Sequence, residues 1–230
     1  MIRTMNYQNL IVGSGAAGFA AAERLHRLGM RDLALVTEGR MMGTSRNTGS
    51  DKQTYYKLTL SGDAPDSVTE MAETLFAGKS VDGDLALAEA AGSVPAFLHL
   101  AELGVPFPTN SYGEYVGYKT DHDPRSRATS AGPLTSKLMT EALDATVQEA
   151  GITVLDGFQM IRILAGPDGV RGILCLELAS GEPVLIRCAT LVLATGGPAC
   201  LYQDSVYPAS QHGCTGIAFQ AGIAGRNLTE

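Results

Sequence analysis

With 230 residues, 45% of them hydrophobic, the chain can bury a sizeable core as one domain or as one domain with an excursion. Its net charge of −7, without any basic cluster, argues against nucleic acid or an anionic membrane surface as the main partner. No apolar stretch reaches membrane-crossing length, and Met1-Ile2-Arg3-Thr4 carries no signal-peptide core, so no membrane segment and a cytoplasmic setting are expected. Cys175, Cys188, Cys200 and Cys214 show no metal-ligand spacing, which predicts no metal and fits a reducing compartment. Cys175 and Cys188 read as inert core thiols, whereas Cys200 and Cys214 fall in glycine-rich loops where a reactive thiolate is conceivable.

The first predicted strand, Leu10-Ile11-Val12, runs into Gly13-Ser14-Gly15-Ala16-Ala17-Gly18, and an alanine-rich helix from Ala16 to Leu28 follows, closed by Gly29. A G-x-G-x-x-G between a strand and a helix is a dinucleotide cradle: Gly13 makes the turn, Gly15 admits the pyrophosphate and Gly18 lets the helix pack on the sheet. A packing turn alone would need no acid downstream. Yet a second apolar strand, Leu33 to Thr37, ends in Glu38, 25 residues after Gly13, close to the ~20 expected of a ribose-binding acid.

The polar, glycine-bearing segment from Gly39 to Gln53 shows no strand period and reads as a functional loop. Ser67-Val68-Thr69-Glu70 is a capping box opening a helix that ends near Gly78. A second helix begins at Asp84, is broken or restarted at Pro95, and ends at Gly104. Between Val105 and Arg127, Tyr112, Tyr115, Tyr118, His122 and Arg125 either face a ligand or form a surface hairpin whose tyrosines cover the core edge. Leu134 to Ala150 is an amphipathic helix stopped by Gly151, feeding a buried strand, Ile152 to Leu155. Phe158–Leu164, Val170–Leu178 and Pro183–Cys188, separated by turn residues, form an antiparallel meander, and Thr190 to Leu193 is a further strand running into Ala194-Thr195-Gly196-Gly197.

This order of parts resembles the flavoproteins of the fumarate reductase, succinate dehydrogenase flavoprotein and L-aspartate oxidase family. The resemblance is carried by Gly13 to Gly18, Glu38, the Ser45-to-Gly49 loop, Ala194 to Gly197, and Gly216-Ile217-Ala218 with Ala221-Gly222. It implies an α/β fold: one Rossmann-like FAD-binding domain over residues 1–230, with a parallel sheet, helices and an antiparallel β-meander, a helical and loop excursion at about 60–130, and the capping domain absent. It implies FAD, held by Gly13, Ser14, Gly15, Ala16, Ala17 and Gly18 at the pyrophosphate, Glu38 and Gly39 at the adenosine ribose, and Ser45, Asn47, Thr48 and Gly49 along the pyrophosphate and flavin. Met160 would lie near the adenine, or simply in the core, and Ala194, Thr195, Gly196 and Gly197 would line the other side. The implied activity is hydride transfer between flavin and a small carboxylate-type substrate. Two other readings stay open: a non-catalytic flavin-binding module or fragment completed by a partner chain, and an NAD-dependent dehydrogenase using only the first motif.

Three departures from the family pattern stand out. Where covalently flavinylated members carry histidine, this chain has Arg46 and Asn47, so FAD is expected to be non-covalent. The usual Ala-Gln-Gly-Gly reads Gly49-Ser50-Asp51-Lys52-Gln53, bringing Lys52 or Gln53 near the flavin ring or leaving Lys52 solvated beside Asp51. The usual Gly-Asp-Gly reads Cys214-Thr215-Gly216. The family's substrate-binding histidine and arginines, with its arginine proton donor, belong to a capping domain, so the catalytic acid is unknown here and a chain supplying that domain, or an electron-transfer subunit, is the expected partner.

Overall fold

The computed structural model describes residues 2–50, 53–62, 64–79, 81–120, 122–197, 203–205, 207–208 and 211–225. The chain divides into two units, one of Met1–Thr48 with Leu143–Gly225 and one built on Gly49–Ala142.

The first unit holds two four-stranded sheets. A parallel sheet has the order β10-β2-β3-β6, from β2 (Asn9–Val12), β3 (Leu33–Thr37), β6 (Thr153–Asp156) and β10 (Thr190–Leu193). β2 and β3 are buried along their whole length, which is why they read as unbroken apolar runs. On one face Leu10, Val12, Ala34 and Val36 meet Phe158, Met160, Ile163, Ile173, Cys175, Val184 and Ile186 of the meander. On the other lies α1 (Ala16–Arg27), burying Phe19 and Ala22. The meander β7 (Phe158–Gly166), β8 (Gly169–Glu177) and β9 (Pro183–Arg187) is antiparallel as expected. It is completed by β1 (Arg3–Asn6), parallel to β9, so the N-terminal residues form a strand of their own before β2.

In the second unit, β4 (Tyr55–Tyr56) pairs with β5 (Ala128–Thr129), and α3 (Val68–Ala77) packs on α4 (Gly83–Glu102) through Met71, Ala72, Ala86 and Ala90. The Ser67 hydroxyl accepts from the Glu70 amide at 3.1 Å, but Glu70's carboxylate binds Arg125 instead of closing the capping box. α4 continues through Pro95, against expectation. Phe97 and Leu100 beyond it stay buried, and Ala91, whose carbonyl loses its helical partner to the proline, is exposed. Tyr115 packs edge-on against Phe97, Tyr118 bonds Thr54 and Tyr112 is exposed, in line with the surface-covering reading. Lys57 is fully buried with its ammonium 4.7 Å from the Phe97 ring centre, and burial lowers its pKa.

Arg127, which the sequence reading passed over, is the hub of this unit. Its guanidinium grips Asp66 through two bonds of 2.9 and 2.7 Å and also donates to Tyr56, Thr74 and Asp123. Burial works to raise the Asp66 pKa, but Arg127, Thr59 and the Ser67 amide overcome it and hold the carboxyl well below its usual range. Helix α5 (Thr135–Glu149) contributes residues to both units.

Candidate functional site

The site lies at the carboxyl ends of β10, β2 and β3, where a dinucleotide sits in an open parallel sheet. Gly13 follows β2 with φ +115°, donates to the Val36 carbonyl at 2.9 Å, and has no room for a side chain: a Cβ would stand 2.2 Å from the Ala194 oxygen. At Gly18 a Cβ would stand 1.8 Å from the Gly13 oxygen, so these two glycines clamp α1 onto the turn. Gly15 differs. A Cβ there would touch only the Ser45 hydroxyl, at 3.4 Å, so its missing side chain leaves space for a ligand.

Gly15 is the N-cap of α1 without a side-chain cap, and the first turn carries no acid. Ser45 Oγ accepts from the Ala16 amide at 3.3 Å. A helix start with no acid in its first turn, no cap from its own N-cap residue and a glycine turn behind it is suited to a pyrophosphate. Ser14 is occupied internally, its hydroxyl sharing a 2.8 Å bond with Thr37 and lying 3.0 Å from the Gly39 oxygen, so only its main chain is offered to a ligand.

The predicted irregular loop after Glu38 contains a short helix, α2 (Thr44–Asn47), pinned from below. The Arg46 guanidinium donates to Asp144 at 2.6 Å and Arg40 to the same carboxylate at 2.9 Å, while the Arg40 amide donates to Asp156 at 2.8 Å. Asn47 donates to the Met41 and Gly43 carbonyls and Thr48 to the Thr44 carbonyl. The side chains of Asn47 and Thr48 therefore shape the loop. Gly43, absent from the sequence-based candidates, lets the loop lie on the turn: a Cβ there would come within 2.6 Å of the Ser14 oxygen. Gly49 belongs to the second unit, packed by Leu134 and Pro133.

Beyond β10, the Ala194 amide donates to the Val12 carbonyl at 2.8 Å, and Gly213, at φ +62°, lies against Gly197, where a Cβ would come within 2.8 Å of the carbonyl oxygen. The Cys214 side chain hydrogen-bonds Thr195 and precedes α6 (Thr215–Gln220), whose Ile217 packs against the core. Glu38 is half-buried, with an oxygen 3.5 Å from His212 Nε2. His212 carries no local motif; only its contact with Glu38 marks it.

Met160 is 5% exposed within the core cluster. Burial pushes the Cys175 thiol up to about 12 and raises Cys188 and Cys214, so Cys214 is held as a thiol at neutral pH instead of a reactive thiolate. Asp51, Lys52 and Cys200 lie outside the described residues. Among the described residues no His, Cys, Asp and Glu cluster suits a metal, and no helix is long and apolar enough to cross a membrane.

A family model described as an FAD binding domain matches residues 9–229, which takes in the cradle, the parallel sheet and the three strands of the meander. The chain belongs to the FAD-binding domain family. FAD is thus the cofactor. L-Aspartate oxidase of Agrobacterium fabrum is 28% identical over 207 residues, covering 89% of this chain and 38% of that protein. L-Aspartate oxidase 2 of Ralstonia nicotianae is 26% identical over 235 residues, covering 99% and 42%. E. coli quinol fumarate reductase FrdA superposes with a TM-score of 0.83 at 21% identity, over 95% of this chain and 37% of that one. The chain thus spans about two fifths of the length of its curated relatives, and its α/β fold is that of the FAD-binding domain of fumarate reductase flavoproteins.

Proposed function

We propose that this chain is the cofactor-holding part of a flavin-dependent oxidoreductase that moves hydride between flavin and a small carboxylate-type substrate. The observation that carries the reading is the pairing of two glycine-ended parallel strands, β2 and β10, beside the Glu38 end of β3. An NAD-type cradle needs only the first of these. Ser14, Gly15, Ala17 and Gly18 would offer main-chain amides to the pyrophosphate, Gly13 and Ala16 would shape the turn behind it, Ser45 would cover it, and Glu38 beside Gly39 would accept from the ribose hydroxyls. Ala194, Thr195, Gly196 and Gly197 would line the flavin side; Asn47, Thr48 and Gly49 would set the path of the loop, and any Met160 contact with adenine would be made by main chain. Bound FAD supplies the two-electron chemistry, with hydride entering or leaving at the ring.

The substrate class is proposed from the relatives, named for aspartate and fumarate. Non-covalent attachment is supported by Arg46, whose side chain is turned inward onto Asp144. No residue of the chain is assigned as proton donor; we place that group in a capping domain, or in a chain that supplies one. A silent flavin-binding module served by a partner is the second reading, favoured by coverage of only 38–42% of the relatives. A cytoplasmic setting fits the free thiols of Cys175, Cys188 and Cys214. The test is the visible spectrum of the purified chain, followed by reduction of the flavin and addition of fumarate or iminosuccinate. Flavin absorbance supports the cofactor-holding reading, and reoxidation by either once a capping domain is supplied supports the enzyme; its failure even then supports the module, and a colourless chain that cannot be reconstituted with FAD overturns both.

A further inference from the structure

We propose that His212 is the positioning residue for Glu38, fixing the carboxylate that receives the adenosine ribose; this rests on the FAD reading above. Glu38 stands at the rim of the crevice, half-buried, on a side chain with three rotatable bonds. Among the described residues its ion-pair partner is His212, 3.5 Å from Oε2. A carboxylate accepts at about four sites, so one contact on Oε2 leaves Oε1 and part of Oε2 for ribose hydroxyls.

The histidine is itself held from both sides. Before it, the Gln211 side chain lies on Gly196, 3.5 Å from where a Cβ would stand. After it, Gly213 lies against the Gly197 carbonyl and Cys214 is tied to Thr195, while Ile217 and Ala221 pack into the core. A strap anchored at the end of β10 thus carries an imidazole to the end of β3. At 3.5 Å its Nε2 stands within ion-pair distance of Glu38 and favours one carboxylate rotamer before the cofactor arrives, which reduces the ordering cost of binding.

The experiment is titration of FAD against the chain, read by quenching of flavin fluorescence, for the unmutated protein, His212→Ala, His212→Gln, Glu38→Ala and the double alanine variant. His212→Ala is expected to weaken binding roughly three- to tenfold, the scale of a partly exposed charged contact. His212→Gln, whose amide can donate in the same place, is expected to recover most of it. In the Glu38→Ala background, His212→Ala is expected to change nothing further. Unchanged affinity in His212→Ala, or an undiminished loss in the Glu38→Ala background, overturns the inference while leaving the FAD reading intact. An unmutated chain that binds no FAD overturns both.

Discussion

At Gly15 a side chain would meet only the Ser45 hydroxyl, and the residue's φ of −82° is one that any amino acid adopts. Gly15→Val is therefore expected to fold normally and bind no FAD, because its methyl groups would occupy the space left for the pyrophosphate. Gly13→Val should lose the fold as well, since its Cβ would overlap the Ala194 carbonyl. Circular dichroism melts combined with flavin content separate the two cases; a Gly15→Val protein with full flavin would contradict the cradle. Glu38→Ala should weaken FAD binding by about 1.5–3 kcal/mol, the range for a hydrogen bond to a charged group, and an unaltered dissociation constant would remove its ribose role.

The loop carrying Ser45 is held by one carboxylate shared between Arg40 and Arg46, with Asp144 and Arg46 both buried. Asp144→Ala removes a buried carboxylate that both Arg40 and Arg46 hold, at an expected cost of about 3–5 kcal/mol; a melting midpoint within a degree of the unmutated value would show the knot to be dispensable. In the second unit the sign of the Asp66 effect is set by its depressed pKa. Its contribution is full above the ordinary carboxylate value of ~3.9 and drains as pH falls below it, because the unfolded chain then takes up the proton first. Melting midpoints measured from pH 5 down to pH 2 should fall less steeply in Asp66→Asn than in the unmutated protein. The cradle is legible in the sequence because strand, glycines, helix and acid follow one another within forty residues, each tied to a local rule. Arg127, Asp144 and His212 are not, because each acts on a partner far along the chain and no local spacing announces the meeting. Pro95 misleads for a related reason: the rule that it breaks a helix is outweighed by the burial of Phe97 and Leu100 on the turns that follow.

For the molecule as a whole, acid precipitation should release all flavin into the supernatant, since Arg46 faces Asp144 and offers no histidine for a link; yellow colour left in the pellet would reverse that reading. The sheet pairings carry a different consequence. Leu10 of β2 lies against Leu191 of β10, and Arg3 of β1 against Val184 of β9. During synthesis, at about 5–20 residues per second, β1 and β2 wait for partners made 181 residues later. Such distant pairing slows folding, because a large loop must close before its contacts are gained. The β2 edge, an apolar strand with unpaired amides until β10 arrives, is exposed to mispairing over that interval. The crevice is thus complete only after β10 has been made, and FAD can select only chains in which β10 has already come home.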